Sequence, residues 1–408
     1  MKYTDNKLKI EKVKVQDIAK NYGTPIYCYS YERIKKNIIN FQKNFKSFSP
    51  LICFAIKSNT NVNLIKEIKK FGLGADVVSR GELMMALKAG VSPNKIVFSG
   101  VGKTSEEISY AVEKKILLIN AESESEIREI DRIARIKKRK IKIGIRLNPN
   151  TDAKTLSQIS TGKKENKFGV NEKTFFELVN FCKNSKNIDL RCLSVHIGSQ
   201  ILDYKPYEKM LRVIDRIINK INHKFEYIDL GGGMGISYKY KDKKLNYTKY
   251  NKIIKKFLKR HRSKIIFEPG RSIIGDTGIL ISKIIYIKKN DTKNFVILDA
   301  AMNDLMRPAL YGAHHKILPS IKNKKKSNSI SGSMYEFVGP ICESTDKFVT
   351  LKKYQKLKEK DLLAICDVGA YGMSLSSNYN LRPKAVELLL NGRKIKKIKN
   401  RQKHTDLI

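Results

Sequence analysis

Lys57 is the first residue of the chain whose type and position suggest chemistry. It ends the apolar run Leu51–Ile56, within the stretch FAIKSN, and no carboxylate stands beside it in the sequence. A lone lysine at the end of a core strand usually extends its charged head into water. An amine held in such a place can instead form a covalent bond with a carbonyl group. Lys57 by itself does not decide between these two roles.

A glycine run later in the chain offers backbone that could bind an anion. The stretch DLGGGMG contains Gly231, Gly232, Gly233 and Gly235. Without Cβ atoms, backbone N–H groups can approach a phosphate closely. Turns use glycine as well, so the run alone is weak evidence. Its position after an apolar run, where a strand would end, favours a phosphate site.

The stretch SGVGKT (99–104) resembles a nucleotide-binding loop but lacks one of the required glycines. That loop follows the pattern GxxxxGK[ST], and the first position of the pattern is Val97 here. We therefore interpret the stretch as a turn that leads into a helix capped by Thr104 or Ser105.

An imidazole and a carboxyl group follow two further apolar runs. His196 precedes GSQ (198–200), and Glu268 opens EPGR (268–271). Taken singly, His196 would be a core histidine and Glu268 an ion-pair partner of Arg271. Taken with Lys57 and the glycine run, they complete the set that pyridoxal phosphate requires: an amine, a partner for the ring nitrogen and a phosphate cradle. These residues predict such a site if the strand ends meet.

The pattern of elements predicts that they do meet. Short β-branched runs alternate with helical patterns over about 220 residues, which is typical of a (β/α)₈ barrel in an α/β fold. Active sites of this barrel lie at the carboxyl ends of the strands. The eight candidate strands are Leu51–Ile56, Ala75–Val78, Lys95–Ser99, Leu117–Asn120, Ile141–Leu147, Cys192–Ile197, Phe225–Leu230 and Lys264–Glu268.

A second, mainly β domain is predicted from both chain ends. We expect the barrel to span residues 32–276, and the β domain to combine residues 1–31 with 277–408. In Lys7–Val15, the residues Leu8, Ile10, Val13 and Val15 fall on nearly one face. The Lys- and Ser-rich segment 321–333 is interpreted as an exposed loop. Further strand-like runs are Ile279–Ile287, Phe295–Leu298, Lys347–Leu351, Leu362–Cys366 and Ala385–Leu390.

The net charge of +43, from 82 Lys and Arg against 39 Asp and Glu, would suit a nucleic-acid partner. The basic residues are scattered from end to end, however, and no aromatic-rich basic platform stands out. Abundant Ile, Asn and Lys without Trp suggest a coding bias instead. We therefore expect no nucleic-acid partner. We also expect no membrane partner, because no apolar segment approaches the ~20 residues that a membrane-spanning helix requires. The polar start predicts a cytoplasmic protein.

The six cysteines form no CxxC pair and no short metal-ligand spacing, so we expect free thiols and no metal. Five lie among apolar residues and are predicted to pack in cores: Cys28, Cys53, Cys182, Cys192 and Cys366. Cys342, in GPICESTD, stands among small and acidic residues instead.

Motifs distributed from Tyr22 to Pro383 resemble those of alanine-racemase-like pyridoxal-phosphate enzymes, and among these the bacterial diaminopimelate decarboxylases. The run MNDLMRPALY and the triplet CES distinguish this group from ornithine decarboxylases. Arg80, Leu156 and Ser58 depart from the usual pattern without removing a residue that is assigned chemistry. The matching motifs are FAIKSN, DVVSRGEL, ISTG with KFG, HIGSQ, LGGGMGISY, EPGR, MNDLMRPALYGAHH, GPICESTD and DVGAYGMSLSSNYN.

The resemblance implies the decarboxylation of meso-2,6-diaminopimelate to L-lysine and CO₂, the last step of lysine biosynthesis. Lys57 would form the Schiff base, His196 would stack on the ring and Glu268 would pair with the pyridine nitrogen. The residues implied to contact the cofactor are Lys57, His196, Ser199, Gly231, Gly232, Gly233, Gly235, Glu268, Pro269, Gly270, Arg271 and Tyr371.

The resemblance also implies a substrate site and a homodimer. Arg307 and Tyr311 would bind the distal carboxylate of the substrate, Glu343 would meet its distal amine, and Arg271 and Tyr371 would complete the contacts. In this family, Cys342 reaches the active site of the partner subunit. It would therefore be a catalytic residue, with Cys342 or the Schiff-base lysine as proton donor, in a homodimer with shared active sites.

Two alternatives remain open at the level of the sequence. The same scaffold could decarboxylate another basic amino acid, of the ornithine or arginine type, or racemise one. Arg307 and Glu343 argue against this, because they suit a substrate with a zwitterionic far end. A non-catalytic basic binding protein is the other alternative, and it would leave the CES and MNDLMRP motifs without a purpose.

Overall fold

The computed structural model describes residues 1–153, 155–239, 242–323 and 334–408, so most of the loop predicted at 321–333 lies outside the described residues. The chain divides into two compact units. One, here called the barrel unit, comprises Asn37–Ile236 and Lys243–Ile273. The other, here called the β unit, comprises Met1–Lys36, Ser237–Asp242 and Ile274–Ile408.

The amino-terminal segment begins with a small antiparallel sheet. Its first elements are β1 (Lys2–Thr4), β2 (Lys7–Ile10), β3 (Val13–Lys14), α1 (Val15–Tyr22), β4 (Ile26–Ser30) and α2 (Tyr31–Phe45). The alternating run is interrupted where Glu11 adopts a φ of 53°, which turns the chain so that Ile10 faces Val13. Leu8, Ile10 and Val15 are buried in one core and Val13 packs against it, so the predicted common face is confirmed.

The middle of the chain forms the barrel. Its elements are β5 (Leu51–Ala55), α3 (Val62–Lys69), β6 (Gly74–Val77), α4 (Arg80–Lys88), β7 (Ile96–Phe98), α5 (Ser105–Glu113), β8 (Leu118–Ala121), α6 (Glu124–Ile136), β9 (Ile141–Arg146), α7 (Glu172–Asn184), β10 (Ile188–Ser194), α8 (Lys205–Asn219), β11 (Tyr227–Asp229), α9 (Tyr247–Leu258), β12 (Lys264–Phe267) and α10 (Arg271–Ile274). Strands β5 to β12 are parallel and close where β12 pairs with β5.

All eight predicted barrel strands are present, which confirms the fold class. The sixth was misplaced along the chain: Cys192–Ile197 was predicted, whereas β10 spans Ile188–Ser194. Polar and apolar residues alternate in the first part of β10, and that part was not recognised as barrel strand. The strand therefore ends two residues before His196, which leaves the imidazole beyond the sheet.

Helix α5 begins as the sequence predicted. Thr104 is its N-cap, and Thr104 and Glu107 exchange hydrogen bonds in a reciprocal capping box. Ser79 and Glu82 have the spacing of a capping box at the start of α4, and half of that box is present. Ser79 accepts from the Glu82 backbone N–H, but the Glu82 carboxylate accepts from the N–H of Val78.

Apolar side chains fill the barrel, and two of the six cysteines lie among them. Cys53, Val97, Leu118, Cys192 and Ile266, from five different strands, form one buried cluster. Burial of the five cysteines predicted to pack is confirmed, and Cys342 is exposed. The cysteines of the barrel interior thus act as small hydrophobic residues.

The β unit is built around one large mixed sheet. Its remaining elements are β13 (Gly278–Lys289), β14 (Lys293–Leu298), α11 (Arg307–Tyr311), β15 (Ile317–Pro319), β16 (Met334–Val338), β17 (Lys347–Leu351), β18 (Leu362–Cys366), β19 (Val386–Asn391) and β20 (Lys394–Lys399). The main path, over the described residues, runs β17-β16-β14-β13-β4-β19-β20; off this path, β18 pairs with β13 and β15 pairs with β18.

Both chain ends contribute to this sheet. β4 pairs antiparallel with β13 and parallel with β19, so the amino-terminal strand lies between two carboxyl-terminal ones. The mainly β second domain from both ends is thereby confirmed, although β4 itself was not predicted as a strand. Across the residues described, the helices are too short or too polar to traverse a bilayer.

Candidate active site

The residues predicted to do chemistry in the barrel unit follow the carboxyl ends of its strands. Lys57 lies in a single 3₁₀ turn, Ile56–Ser58, directly after β5. His196 lies two residues beyond β10, and Glu268 directly follows the last residue of β12. Because parallel strands end at one face of the barrel, these three side chains belong to the same end of it.

Lys57 has a carboxylate partner that the local sequence did not reveal. Its Nζ lies 2.8 Å from Oδ2 of Asp76, which is completely buried in β6. The lysine side chain is 38% exposed, so its amine stands between a buried charge and open space. This arrangement holds the amine in place and leaves it accessible, as a nucleophile requires.

A buried polar network connects residues from different strands of the barrel. Asn120 donates to Oδ2 of Asp229 at 2.8 Å, and its amide also lies 3.3 Å from the hydroxyl of Ser99. Ser99 in turn lies 3.3 Å from Oε1 of Glu268. The network joins four different strands or strand ends, and all four residues are buried.

Two carboxyl groups in this network, those of Asp229 and Glu268, influence each other's pKa. Burial raises the pKa of Asp229 to about 6. Burial also raises the pKa of Glu268 well above its ordinary value, and the negative charges of Asp229 and Asp76 raise it further. A hydrogen bond joins the Asp229 and Glu268 carboxyl groups. This hydrogen bond lowers the pKa of Asp229 and raises that of Glu268, which favours Glu268 as the protonated partner that donates to Asp229.

His196 is held neutral. Burial lowers its pKa well below the ordinary value, and the positive charges of Arg146 and Lys57 lower it further. Its Nδ1 accepts a hydrogen bond from the backbone N–H of Gly232 at 3.2 Å. Nδ1 is therefore unprotonated and the ring proton is on Nε2.

The glycine run passes close to both His196 and Glu268. A Cβ on Gly231 would lie 2.5 Å from Nδ1 of His196, and one on Gly232 would collide with the carbonyl oxygen of Glu268. Gly233 has a φ of 86°, which strains any other residue. The N–H groups of Gly231 and Gly232 donate to Asp229 and His196. The N–H groups of these two glycines are thus bonded within the protein, and the lack of side chains lets the chain pass close to His196 and Glu268.

Arg271 and Ser199 lie together at the same end of the barrel. Arg271 opens α10 and is buried, and its Nη2 donates to the Ser199 hydroxyl at 3.1 Å. Gly270 lies just before this helix, where a Cβ would approach the Ser58 side chain within 3.0 Å. The structure thus brings together the barrel residues of the predicted site: Lys57, His196, Ser199, Gly231, Gly232, Gly233, Gly235, Glu268, Pro269, Gly270 and Arg271.

Sequence reasoning missed a second buried layer behind His196. Arg146 donates to Glu122 at 2.8 Å and lies 3.5 Å from the carbonyl oxygen of His196. Glu122 also accepts from the backbone N–H of Gly100 and of Gly169. The signal that could have found these residues, and Asp76 and Asp229, is a charged side chain within an apolar strand run.

The β unit carries the other predicted residues. Arg307 is buried at the first position of α11, and Tyr311 is half-buried at its end. Tyr371 has a φ of 57°. Cys342 is exposed, and the neighbouring Glu343 accepts a hydrogen bond from Tyr379 that lowers its pKa.

Comparison with known proteins places the chain in a family. A family model described as the pyridoxal binding domain of pyridoxal-dependent decarboxylases matches residues 31–275. The chain belongs to the pyridoxal-dependent decarboxylases. The match covers the barrel, whose strand ends carry the amine, the imidazole and the carboxyl pair.

Curated relatives and solved structures narrow the family. Diaminopimelate decarboxylase of Aquifex aeolicus (strain VF5) is 38% identical, covering 100% of this chain and 96% of that protein. Its counterpart in Helicobacter pylori (strain J99) is 41% identical over 96% of each. The Helicobacter pylori enzyme solved with L-lysine superimposes with a TM-score of 0.91, at 41% identity, over 96% of this chain and 98% of that one. The chain therefore falls among the diaminopimelate decarboxylases, which confirms the resemblance read from its motifs.

A more distant neighbour shows how widely this fold is used. An arginine decarboxylase of Paramecium bursaria Chlorella virus, solved with agmatine, has a TM-score of 0.80 at 19% identity, over 92% of this chain and 99% of that one. At this identity the likeness concerns the fold alone.

The barrel residues fit the cofactor of this family. Lys57 offers an accessible amine, Glu268 a proton for a ring nitrogen, and His196 a neutral ring. Within the described ranges, Oδ1 of Asp76 and the hydroxyl of Ser160 are buried without a hydrogen-bond partner. Buried polar atoms are ordinarily paired, so the Asp76 oxygen leaves capacity for a polar ligand beside the Lys57 amine.

Proposed function

We propose that this protein is a carboxy-lyase that converts meso-2,6-diaminopimelate to L-lysine and CO₂ with pyridoxal phosphate as cofactor. The observation that carries the proposal is the partly exposed Lys57 amine paired with the buried Asp76, in the same barrel as Glu268, whose pKa is raised; this barrel matches the pyridoxal-dependent family. The identity to diaminopimelate decarboxylases over nearly the whole chain supports the choice of substrate.

In this reaction the bond between one carboxylate and its α-carbon breaks, CO₂ leaves, and a proton replaces it on the same carbon. When bound, pyridoxal phosphate supplies a ring that accepts the electron pair left on that carbon. Lys57 provides the amine to which the cofactor is attached. Asp76 holds that amine in position and balances its positive charge.

Glu268 offers a proton to the cofactor ring, whereas His196 stays neutral beside it. Glu268 carries at its carboxyl oxygen a proton that a pyridine nitrogen can accept. Asp229 interacts with the Glu268 carboxyl group through a hydrogen bond. A neutral His196 adds no positive charge against the ring and offers a flat surface for stacking. The phosphate would be bound by Ser199, the glycine run, Gly270, Arg271 and Tyr371.

The substrate roles rest on the family resemblance. Arg307 and Tyr311 would bind the distal carboxylate, and Glu343 the distal amine. Arg307 supports this assignment because it is a buried guanidinium, the group best suited to bind a carboxylate. Cys342 is exposed, as a residue offered to a partner subunit would be. We place Cys342 or Lys57 as the proton donor, in a homodimer with shared active sites.

The remaining assignments of the sequence are proposed on the same basis. Residues 32–276 would bind the cofactor, and residues 1–31 with 277–408 would supply substrate and dimer contacts. The protein would act in the cytoplasm, where a biosynthetic enzyme of this kind finds its substrate.

Product analysis tests this function directly. Purified protein with pyridoxal phosphate is offered meso-diaminopimelate, ornithine and arginine in parallel, and the amines and CO₂ released are measured. We expect L-lysine and CO₂ in equal amounts from meso-diaminopimelate and no product from the other two. Product from ornithine or arginine would contradict the roles of Arg307 and Glu343. If none of the three substrates gave product while the cofactor was bound, the proposed function itself would be contradicted.

A further inference from the structure

Arg307 is hydrogen-bonded to a histidine, His315, to which the family resemblance assigned no role. Nη1 of Arg307 lies 2.8 Å from Nε2 of His315, and Nδ1 of His315 lies 2.8 Å from the carbonyl oxygen of Cys366. Arg307 is 5% exposed and His315 only 1%. The chain thus places an imidazole between a buried guanidinium and the backbone of β18.

The chemistry of these partners fixes the state of His315. A guanidinium has only donors, so Nε2 must accept from Arg307 and cannot carry a proton. A carbonyl oxygen only accepts, so Nδ1 must carry the proton and donate to Cys366. His315 is therefore neutral, in the Nδ1–H tautomer, and acts as a directed acceptor for Arg307.

The sheet anchors this acceptor. Helix α11 ends at Gly312, which has a φ of 60°, so the chain turns back toward β18 within four residues of Tyr311. The Cys366 N–H then donates to the Lys316 carbonyl oxygen, and Ile317 pairs with Ile365. The carbonyl group that receives His315 is consequently fixed by strand pairing.

Tyr238 fixes the plane of the guanidinium from another side. Cζ of Arg307 lies 4.7 Å from the centre of the Tyr238 ring, a cation–π distance. The His315 ring meets the same tyrosine edge-on, with centroids 5.4 Å apart at 76°. Tyr238 is buried, so it contacts both partners away from water. One ring and one acceptor together restrict how Arg307 can rotate.

We propose that His315 and Tyr238 are positioning residues that orient Arg307 toward the substrate carboxylate that is not removed, and so determine specificity for a substrate with a carboxylate at its far end. This inference rests on the proposed function of Arg307. A planar, bidentate contact to a carboxylate depends on the orientation of the guanidinium. Preorganising that orientation avoids ordering it at the moment of binding.

Two ligands isolate the carboxylate in question. L-Lysine retains the carboxylate that the reaction leaves in place, and 1,5-diaminopentane is the same molecule without it. Inhibition constants of both are measured with the holoenzyme, for the wild type and for His315→Leu, His315→Gln, Tyr238→Leu and Tyr238→Phe. His314→Gln, at the half-buried neighbouring position, is the matched control.

We expect His315→Leu and Tyr238→Leu to weaken lysine inhibition about 10-fold, because an interaction with a charged group is lost. Inhibition by 1,5-diaminopentane stays unchanged, and the KM for meso-diaminopimelate rises while kcat changes less. His315→Gln and Tyr238→Phe retain most of the preference for lysine, because they keep an acceptor and a ring. His314→Gln behaves as the wild type.

The inference is overturned if His315→Leu and Tyr238→Leu keep the wild-type preference for lysine. It is also overturned if both ligands weaken equally together with a lower unfolding temperature, because His315 would then be a packing residue only. A wild type that binds both ligands equally and forms no lysine from meso-diaminopimelate would instead refute the proposed function, and with it the role of Arg307.

Discussion

Lys57 shows how a neighbour decides what a single residue can do. In the sequence it stands without a carboxylate, and the structure supplies one from β6, 19 residues away. A buried carboxylate that pairs with a partly exposed amine holds that amine while one side remains open. The pairing with Asp76 therefore favours a role for Lys57 in the site over the alternative of a lysine that only extends its charged head into water.

Replacement of Lys57 is the most direct test at this scale. We expect Lys57→Ala to lose covalent attachment of pyridoxal phosphate and to reduce turnover by more than about 10³-fold, because no other amine is held at this position. Mass spectrometry after borohydride reduction measures the attachment. Lys69→Ala, on the exposed face of α3, is the control and should retain both. Attachment at full level in Lys57→Ala would exclude Lys57 as the cofactor lysine.

The raised pKa of Glu82 leads us to expect that the free energy of unfolding depends on pH. Burial raises its pKa from 4.5 to about 7, and the nearby Asp76 charge contributes. The folded state thus holds a proton that the unfolded state has lost. Its stabilising effect is complete below pH 4.5 and disappears as the pH rises through 7. Glu82→Gln should remove this dependence, by about 2 kcal/mol between pH 5 and pH 8, because partial exposure reduces the full effect.

Urea unfolding of the wild type and Glu82→Gln at the two pH values measures this difference. Glu106→Gln, an exposed change at the start of α5, is the control and should follow the wild type. Equal pH dependence in the wild type and Glu82→Gln would show that Glu82 is ionised when folded.

Among the elements, the loops after the strands matter more than the strands themselves. The loop after β11 can pass beside His196 and Glu268 only because Gly231 and Gly232 lack side chains. The short, buried strands fix where each loop begins, and the loops supply the contacts. A site of this kind is sensitive to the volume of single atoms.

Two glycines provide a matched pair of variants. Gly232→Ala would place a Cβ against the Glu268 carbonyl oxygen, whereas around Gly102 there is open space. We expect Gly232→Ala to weaken pyridoxal phosphate binding at least about 10-fold, because the loop must shift. Gly102→Ala should bind as the wild type, since SGVGKT is only a turn. Cofactor fluorescence titration measures both, and equal affinities would contradict the assigned role of the loop.

For the whole molecule, the proposed homodimer with shared sites leads to a quantitative prediction. If Cys342 serves the active site of the partner subunit, Lys57→Ala and Cys342→Ala fall in the same site of a mixed dimer and leave its other site intact. Mixing the two inactive variants after reversible dissociation should restore about a quarter of wild-type activity, because half the dimers are mixed and each has one intact site. Unmixed samples of each variant are the controls. Mixtures as inactive as their components would contradict shared sites.

Much of this protein follows from its sequence alone. Runs of β-branched residues predicted the barrel, because parallel strands are buried on both faces and read as continuous apolar segments. Single-residue signals predicted Lys57, His196 and Glu268, because polar residues at strand ends stand out against apolar runs. The predicted position of β10 was shifted along the chain because polar and apolar residues alternate in its first part, and β4 was not predicted as a strand.

Only the tertiary structure decided which charges meet. Asn120 and Asp229 are 109 residues apart, and Ser99 and Glu268 are 169 apart, yet barrel closure joins them in one network. Pairing of β15 with β18 likewise fixes the carbonyl group that directs His315 at Arg307. Local periodicity reports which face of an element is buried, but the proton on Glu268 depends on distances between elements. Those distances are set by packing, and the spacing of residues along the chain does not contain them.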